Sequence, residues 1–172
     1  MRILLLMGLS SLISVSMGSK VDDDPTSYAP KEAAFEVRFP AAPTVEKKPN
    51  LFRTIVMANV RRKAVDELGF NCQWLLKSSA SSAKEGELIY LKGSVAGAVT
   101  AARGKLLEEK AIMHGDFIGR EFIVLISEGN TFRSRVFVAG KRVISLQVWG
   151  KDKDAVNSKE ANAFFDSLKI AK

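Results

Sequence analysis

The C-terminal half of this chain carries a period of two that leaves little choice of architecture. Between Arg120 and Ser127, Phe122, Val124 and Ile126 fall on one face, and Ile123 and Leu125 on the other. A strand that is apolar on both faces is a central strand covered from both sides. Glu128-Gly129-Asn130 follows, a hairpin turn in which Gly129 or Asn130 can take positive φ. Phe132, Val136 and Val138 then alternate with Arg133 and Arg135, Ala139-Gly140-Lys141 turns again, and Val143 to Trp149 is the next strand. These three antiparallel strands form a meander. Residues 107–114 read as a strand before them, with Gly115 to Gly119 reversing the chain.

The rest of the chain fits around this sheet. Phe35, Val37 and Phe39 alternate with Glu36 and Arg38 in a half-buried strand ended by Pro40 and Pro43. Leu51 to Leu76 holds two strands, one around Thr54–Val60 and one from Phe70 to Leu76, with a charged hairpin end between them. Leu88, Leu91, Val95, Val99 and Ala102 recur at helical spacing, so residues 87–104 form a helix packed on the sheet. Ser82 and Glu85 have capping-box spacing. Gly93 and Gly97 make a GxxxG in an alanine-rich run bracketed by Lys92 and Arg103, which reads as close helix–sheet packing rather than membrane dimerisation. A closing helix at 158–168 has Asn157 as N-cap, Glu160 three residues on, and a stripe of Ala161, Phe164, Phe165 and Leu168. The fold class is α+β: an antiparallel sheet of five or six strands with helices packed on its faces.

A chain of 172 residues and 47% hydrophobic content suits one domain with an appendage. Arg2 followed by the uncharged, mostly apolar stretch Ile3–Met17 is too short and too rich in serine to span a bilayer, and matches a secretory signal. Ser16 and Gly18 are small enough for the −3 and −1 positions, so residues 1–18 are a signal peptide. No cysteine follows for lipid attachment. Residues 19–32, with aspartates at 22–24, Pro25 and Pro30, form a disordered tail, and 33–172 a single domain.

The chemistry available is limited. One cysteine excludes an intramolecular disulfide framework or a cysteine-based zinc site, and one histidine excludes a multi-histidine metal centre. No nucleophile elbow, Walker-type loop or dinucleotide fingerprint is present. His114, beside Gly115-Asp116, has two readings: base of a spatially assembled Ser–His–Asp triad, or a histidine satisfied by solvent or backbone at a strand end. Asp22–Asp24 lack the preorganised cage that a calcium site needs. Cys72, flanked by Phe70, Asn71, Gln73, Trp74 and Leu75, reads as a small buried hydrophobe, with a lone reactive thiol as the other reading. No cofactor is implied.

Charge is the one positive signal. The net charge of +7 permits anionic partners. Arg133 and Arg135 share a strand face with Phe137, Lys141 and Arg142 lie at the next turn, and Arg61-Arg62-Lys63 form a separate run. One reading makes Arg133, Arg135, Phe137, Lys141 and Arg142 a docking patch, with Phe137 or Trp149 as anchors and arginines at the rim. A second makes these charges a solvated face that blunts the sheet edges, and a third packs Phe137 under a helix and buries the arginine stems. The export signal and the absence of a recognition motif disfavour nucleic acid.

Phe35-Glu36-Val37-Arg38-Phe39-Pro40 resembles the F-x-V-x-F-P opening of small secreted bacterial proteins. The order of a helix, Gly104-Lys105-Leu106-Leu107 and then Gly119-Arg120-Glu121-Phe122 is also similar, as is the ending Phe164-Phe165-Asp166-Ser167-Leu168. Over residues 33–171 this layout resembles the PsbP-like α/β/α sandwich superfamily. The resemblance implies an antiparallel sheet with helices on both faces and a non-catalytic role. Its best-known members dock onto protein complexes in photosynthetic or nuclear-transport settings. The matched positions are packing positions, so the resemblance transfers no functional residue.

These readings describe an exported, periplasmic or extracellular, non-enzymatic binding or accessory module. Its partner is a protein complex or an anionic surface of the cell envelope, and no transmembrane segment remains after signal removal. The alternatives are a small-ligand carrier or weak hydrolase with a site between sheet and helix, and a cationic binder of anionic envelope surfaces. Intact-mass analysis of the exported protein should find a chain starting at Ser19. A full-length mass would overturn the cleaved signal.

Overall fold

The computed structural model describes residues 25–50, 53–61, 68–76, 84–126 and 129–171. The signal stretch, the three aspartates, Arg62-Lys63, Ser82 and Glu128 lie outside the described residues. In chain order the elements are β1 (Thr26–Tyr28), β2 (Phe35–Phe39), β3 (Thr44–Asn50), β4 (Arg53–Arg61), β5 (Gly69–Leu76), α1 (Lys84–Ala101), β6 (Lys105–His114), β7 (Phe117–Leu125), β8 (Thr131–Ala139), β9 (Arg142–Gly150), α2 (Lys153–Val156), α3 (Lys159–Asp166) and β10 (Lys169–Ile170).

The fold is α+β. Among the described residues, seven strands form the large sheet in the order β3-β4-β5-β9-β8-β7-β6, with every neighbouring pair antiparallel. The meander read from the sequence is its β7-β8-β9 segment. The sheet is wider than the five or six strands expected. The addition is β3, whose Glu46-Lys47-Lys48-Pro49 looks like a loop but lies along the sheet edge, where charge and proline are tolerated because one side of the ladder has no partner. The strand at Phe35–Phe39 instead belongs to a small sheet, β1-β2-β10. Thr26–Tyr28 lie within the stretch expected as tail, yet pair with β2. The Tyr28 hydroxyl accepts a hydrogen bond from Trp74 Nε1 at 3.2 Å.

Two apolar clusters sit on opposite faces of the large sheet. On one face Phe70, Cys72, Leu146 and Val148 pack against β2 and α3, where Phe164 lies 5.1 Å from Phe39 and 5.3 Å from Phe70 between ring centres. On the other face Leu91 and Val95 of α1 pack on Phe122, Val124, Phe132 and Val136. Helix α1 begins and ends three residues earlier than expected. Gly104 passes so close to β7 that a Cβ there would lie 2.6 Å from Leu125 O, and Arg103 turns into it with φ of 48°. Gly93 and Gly97 do not provide the close helix–sheet contact expected of them, because a Cβ at either would meet nothing within 4 Å. The buried stripe is Leu91 and Val95; at about 100° per residue Gly93 lies about 160° around the helix from both, and Gly97 about 160° from Val95 and about 120° from Leu91. Helix α3 is capped by Ser158, whose hydroxyl accepts from Ala161 N, rather than by Asn157. The Asn157 side chain is already engaged, accepting from Arg133 Nη1 and donating to Lys153 O. Among the described residues no helix is long and apolar enough to cross a membrane.

One guanidinium ties the turn before β2 to the segment after β10. Arg142 Nη1 donates to Ala33 O at 3.1 Å and Ala34 O at 3.2 Å, Nη2 to Ala171 O at 3.0 Å, and Nε to Ala139 O at 3.2 Å. Charge-assisted bonds of this kind are stronger than neutral ones, and a single planar fork reaches all four carbonyls. Replacing Arg142 by Met should lower unfolding stability by about 2 kcal/mol in urea denaturation, and by Lys nearly as much because the fork is lost. An unchanged midpoint for Arg142→Met would show that the clip is dispensable.

Candidate functional site

The patch read from the sequence is an interior assembly. Arg133, Arg135 and Phe137 do share a face of β8, but α3 lies across that face. Arg133 is 6% exposed and Phe137 3% exposed, so neither stands at a surface rim. Arg133 donates through Nη1 to Asn162 Oδ1 at 2.7 Å and Asn157 Oδ1 at 3.1 Å, and through Nη2 to Glu121 Oε2 at 2.7 Å. Arg135 donates to the same Glu121 oxygen and, through Nη1, to Asp166 at 2.9 Å. Both guanidiniums lie over the Phe165 ring, at 4.8 and 4.9 Å from its centre. Lys110 Nζ reaches Glu121 Oε1 at 2.8 Å. The physical reason is local: Glu121 sits directly opposite Arg135 on the neighbouring strand and supplies the counter-charge that lets α3 close over the arginines. Lys141 is exposed at the β8–β9 turn, away from this assembly, and Arg142 forms the clip described above.

Burial alone would raise the Glu121 carboxyl. Hydrogen bonds from Lys110, Arg135 and Arg133, with the charge of Arg133, outweigh it and hold the group down at about 2, against an ordinary 4.5. Cys72 is fully buried, and burial pushes its thiol up, away from the reactive thiolate. His114 is half-buried with its ring 5.7 Å from that of Phe137. Among the described residues no serine hydroxyl or carboxylate bonds to it, so the triad arrangement is not assembled.

The opposite face of the sheet is different. Neighbouring strands lie about 4.8 Å apart and a helix is about 10 Å wide, so one helix covers about two strands. Helix α1 lies along β7 and β8. Beside it, over β5, β9 and the edge of β4, runs a groove of about 520 Å³, within the range of small-ligand sites. Because side chains alternate, every second residue of these strands lines it. Along the strands the floor changes in character. Leu75 and Val143, paired across β5 and β9, make an apolar end with Ile55. Gln73 opposite Ser145 comes next, then Gln147 opposite Asn71. Trp149, opposite Phe132 on β8, makes an aromatic end. The α1 wall presents Tyr90, Ser94, Gly97 and Ala101.

None of the described residues lining the groove is charged, although 26% of the chain is. Gln73 and Gln147 are half-buried, and among the described residues neither side chain has a hydrogen-bond partner. The groove is therefore suited to holding an uncharged molecule by apolar contact and amide hydrogen bonds.

No protein-family model matches this chain, and no curated protein matches it. Its fold is similar to that of a solved structure, cyanobacterial PsbP (CyanoP) from Synechocystis sp. PCC 6803. The two have 10% sequence identity and a TM-score of 0.48, over 95% of this chain and 99% of that one.

Of the groove residues, sequence reasoning picked out only Trp149 for function, as a docking anchor. Gln73, Ser145 and Gln147 were legible as polar positions alternating with Cys72, Trp74, Leu146 and Val148, the signature of a strand with one wet face.

The Glu121 assembly makes a pH-dependent contribution to stability. With a folded-state value below the unfolded one, that contribution is complete above about pH 4.5 and is lost as pH falls toward 2. Glu121→Gln leaves Arg133 buried without its counter-charge and should cost about 3–5 kcal/mol at pH 7. Urea titrations across this window should show a flatter pH dependence for the variant. Identical slopes for the two proteins would contradict the role given to Glu121.

Proposed function

We propose that this chain is a non-enzymatic binding module whose ligand lies in the groove between α1 and the β4–β5–β9 surface. The observation that carries the reading is the groove itself: about 520 Å³, with no charged residue among the described residues that line it, and floored by two amides whose hydrogen-bonding capacity is unused among the described residues. Arg133, Arg135 and Arg142 are engaged inside the fold, which favours this face over the arginine-rimmed patch as the place of contact. With residues 1–18 read as an export signal, the proposed encounter is one outside the cytoplasm, in the periplasm or beyond the cell.

Gly97 offers a test that does not depend on damaging the fold. It lines the groove, and a Cβ there meets nothing within 4 Å. Leucine is the better helix former by about 0.5–1 kcal/mol, so Gly97→Leu should be as stable as the parent or more so, while its side chain obstructs the groove. The neutral dye N-phenyl-1-naphthylamine should brighten on binding the parent protein and bind Gly97→Leu at least tenfold more weakly. Equal binding by a well-folded Gly97→Leu, or no binding by either protein, would count against the groove.

A further inference from the structure

We infer that the ligand of this groove is an uncharged molecule carrying an amide group between two apolar arms. The inference rests on the groove reading above and specifies its chemistry. The floor is polar only in the middle. Gln73 and Gln147 occupy successive rows across β5 and β9, as diagonal neighbours on the same face, which places their Cα atoms roughly 7–8 Å apart. On one side of this band lie Leu75 and Val143, and on the other Trp149. A polar group at the end of a ligand would leave one apolar end of the groove in contact with it or with water. A polar group in the middle of a ligand matches the whole length.

The type of polar group follows from the side chains that face it. Each glutamine amide offers two N–H donors and a carbonyl acceptor, and neither is used within the described residues. A ligand amide needs one acceptor and supplies one, so two glutamines can satisfy both of its halves. An ester or ether lacks the donor. Behind Gln147 in the same row, Asn71 is fully buried and its Oδ1 has no partner among the described residues, while its Nδ2 donates to Asn59 Oδ1 at 2.6 Å. Among the described residues the polar band thus has hydrogen-bonding capacity left unsatisfied. A carboxylate is disfavoured because no cation among the described residues lines the groove and an unpaired charge is costly to desolvate.

The test uses displacement of N-phenyl-1-naphthylamine from the full chain. N-hexylhexanamide, an amide between two six-carbon arms, should displace the dye at a concentration at least tenfold lower than dodecanoate does. The double variant Gln73→Leu/Gln147→Leu, close in volume and apolar, should bind the dye as the parent does and bind N-hexylhexanamide about tenfold more weakly. Dodecanoate competing as well as the amide, or full amide affinity in the double variant, would overturn this inference while leaving the groove as a binding site. Failure of the parent protein to bind the dye would overturn both.

Discussion

A single buried carboxylate makes one side of this sheet possible to close. Arg133 and Arg135 project from a central strand toward α3, and two guanidiniums in an apolar layer would keep a helix from settling there. Glu121, one strand over, takes hydrogen bonds from both and a third from Lys110. Phe165 then lies beneath the two guanidiniums, Asp166 gives Arg135 a second carboxylate, and Asn157 and Asn162 both accept from Arg133 Nη1. Buried ion clusters of this kind confer geometric specificity more readily than net stability. Here the specificity is the placement of α2 and α3 against β8 and β9.

The two faces of the sheet therefore solve the same problem differently. One is sealed by α2, α3 and the small sheet, with Phe39, Phe70 and Phe165 each packed against Phe164. The other has one long helix for a sheet several times wider than a helix. Covering β7 and β8 is enough to bury Phe122, Val124, Phe132 and Val136, and the sequence matches the boundary of that cover: the corresponding positions on β5 and β9 change to Gln73, Ser145 and Gln147. The wet half of the face is written into the strands that form it.

How much of this is legible without coordinates depends on the range of the interactions. The β7-β8-β9 meander rests on alternation and turn residues within some thirty positions, and it was readable. So were the apolar stripe of α3 and the core position of Cys72. The edge strand β3 was not, because an edge suppresses the apolar pattern by which strands are recognised. The role of the arginines was open for a related reason: alternating arginines look the same whether they meet water or a carboxylate, and their partners lie 12 to 31 positions away in the chain. The glycines of α1 misled by spacing alone, since their distance from the buried stripe depends on how the helix is rotated about its axis. The groove depends on which strands that helix crosses, a placement that no local pattern encodes.

The clip at Arg142 also orients the molecule. It gathers Ala33, Ala34 and Ala171 at one point, and Ala171 N bonds to Ala34 O at 2.9 Å, so the turn leading into β2 and the segment that follows β10 are held side by side. The small sheet that carries both ends lies on the sealed face. Anything joined to the domain at either end, whether a leader, a linker or an anchor, thus attaches from behind, and the domain is held like a shallow cup with its open side turned away from the handle.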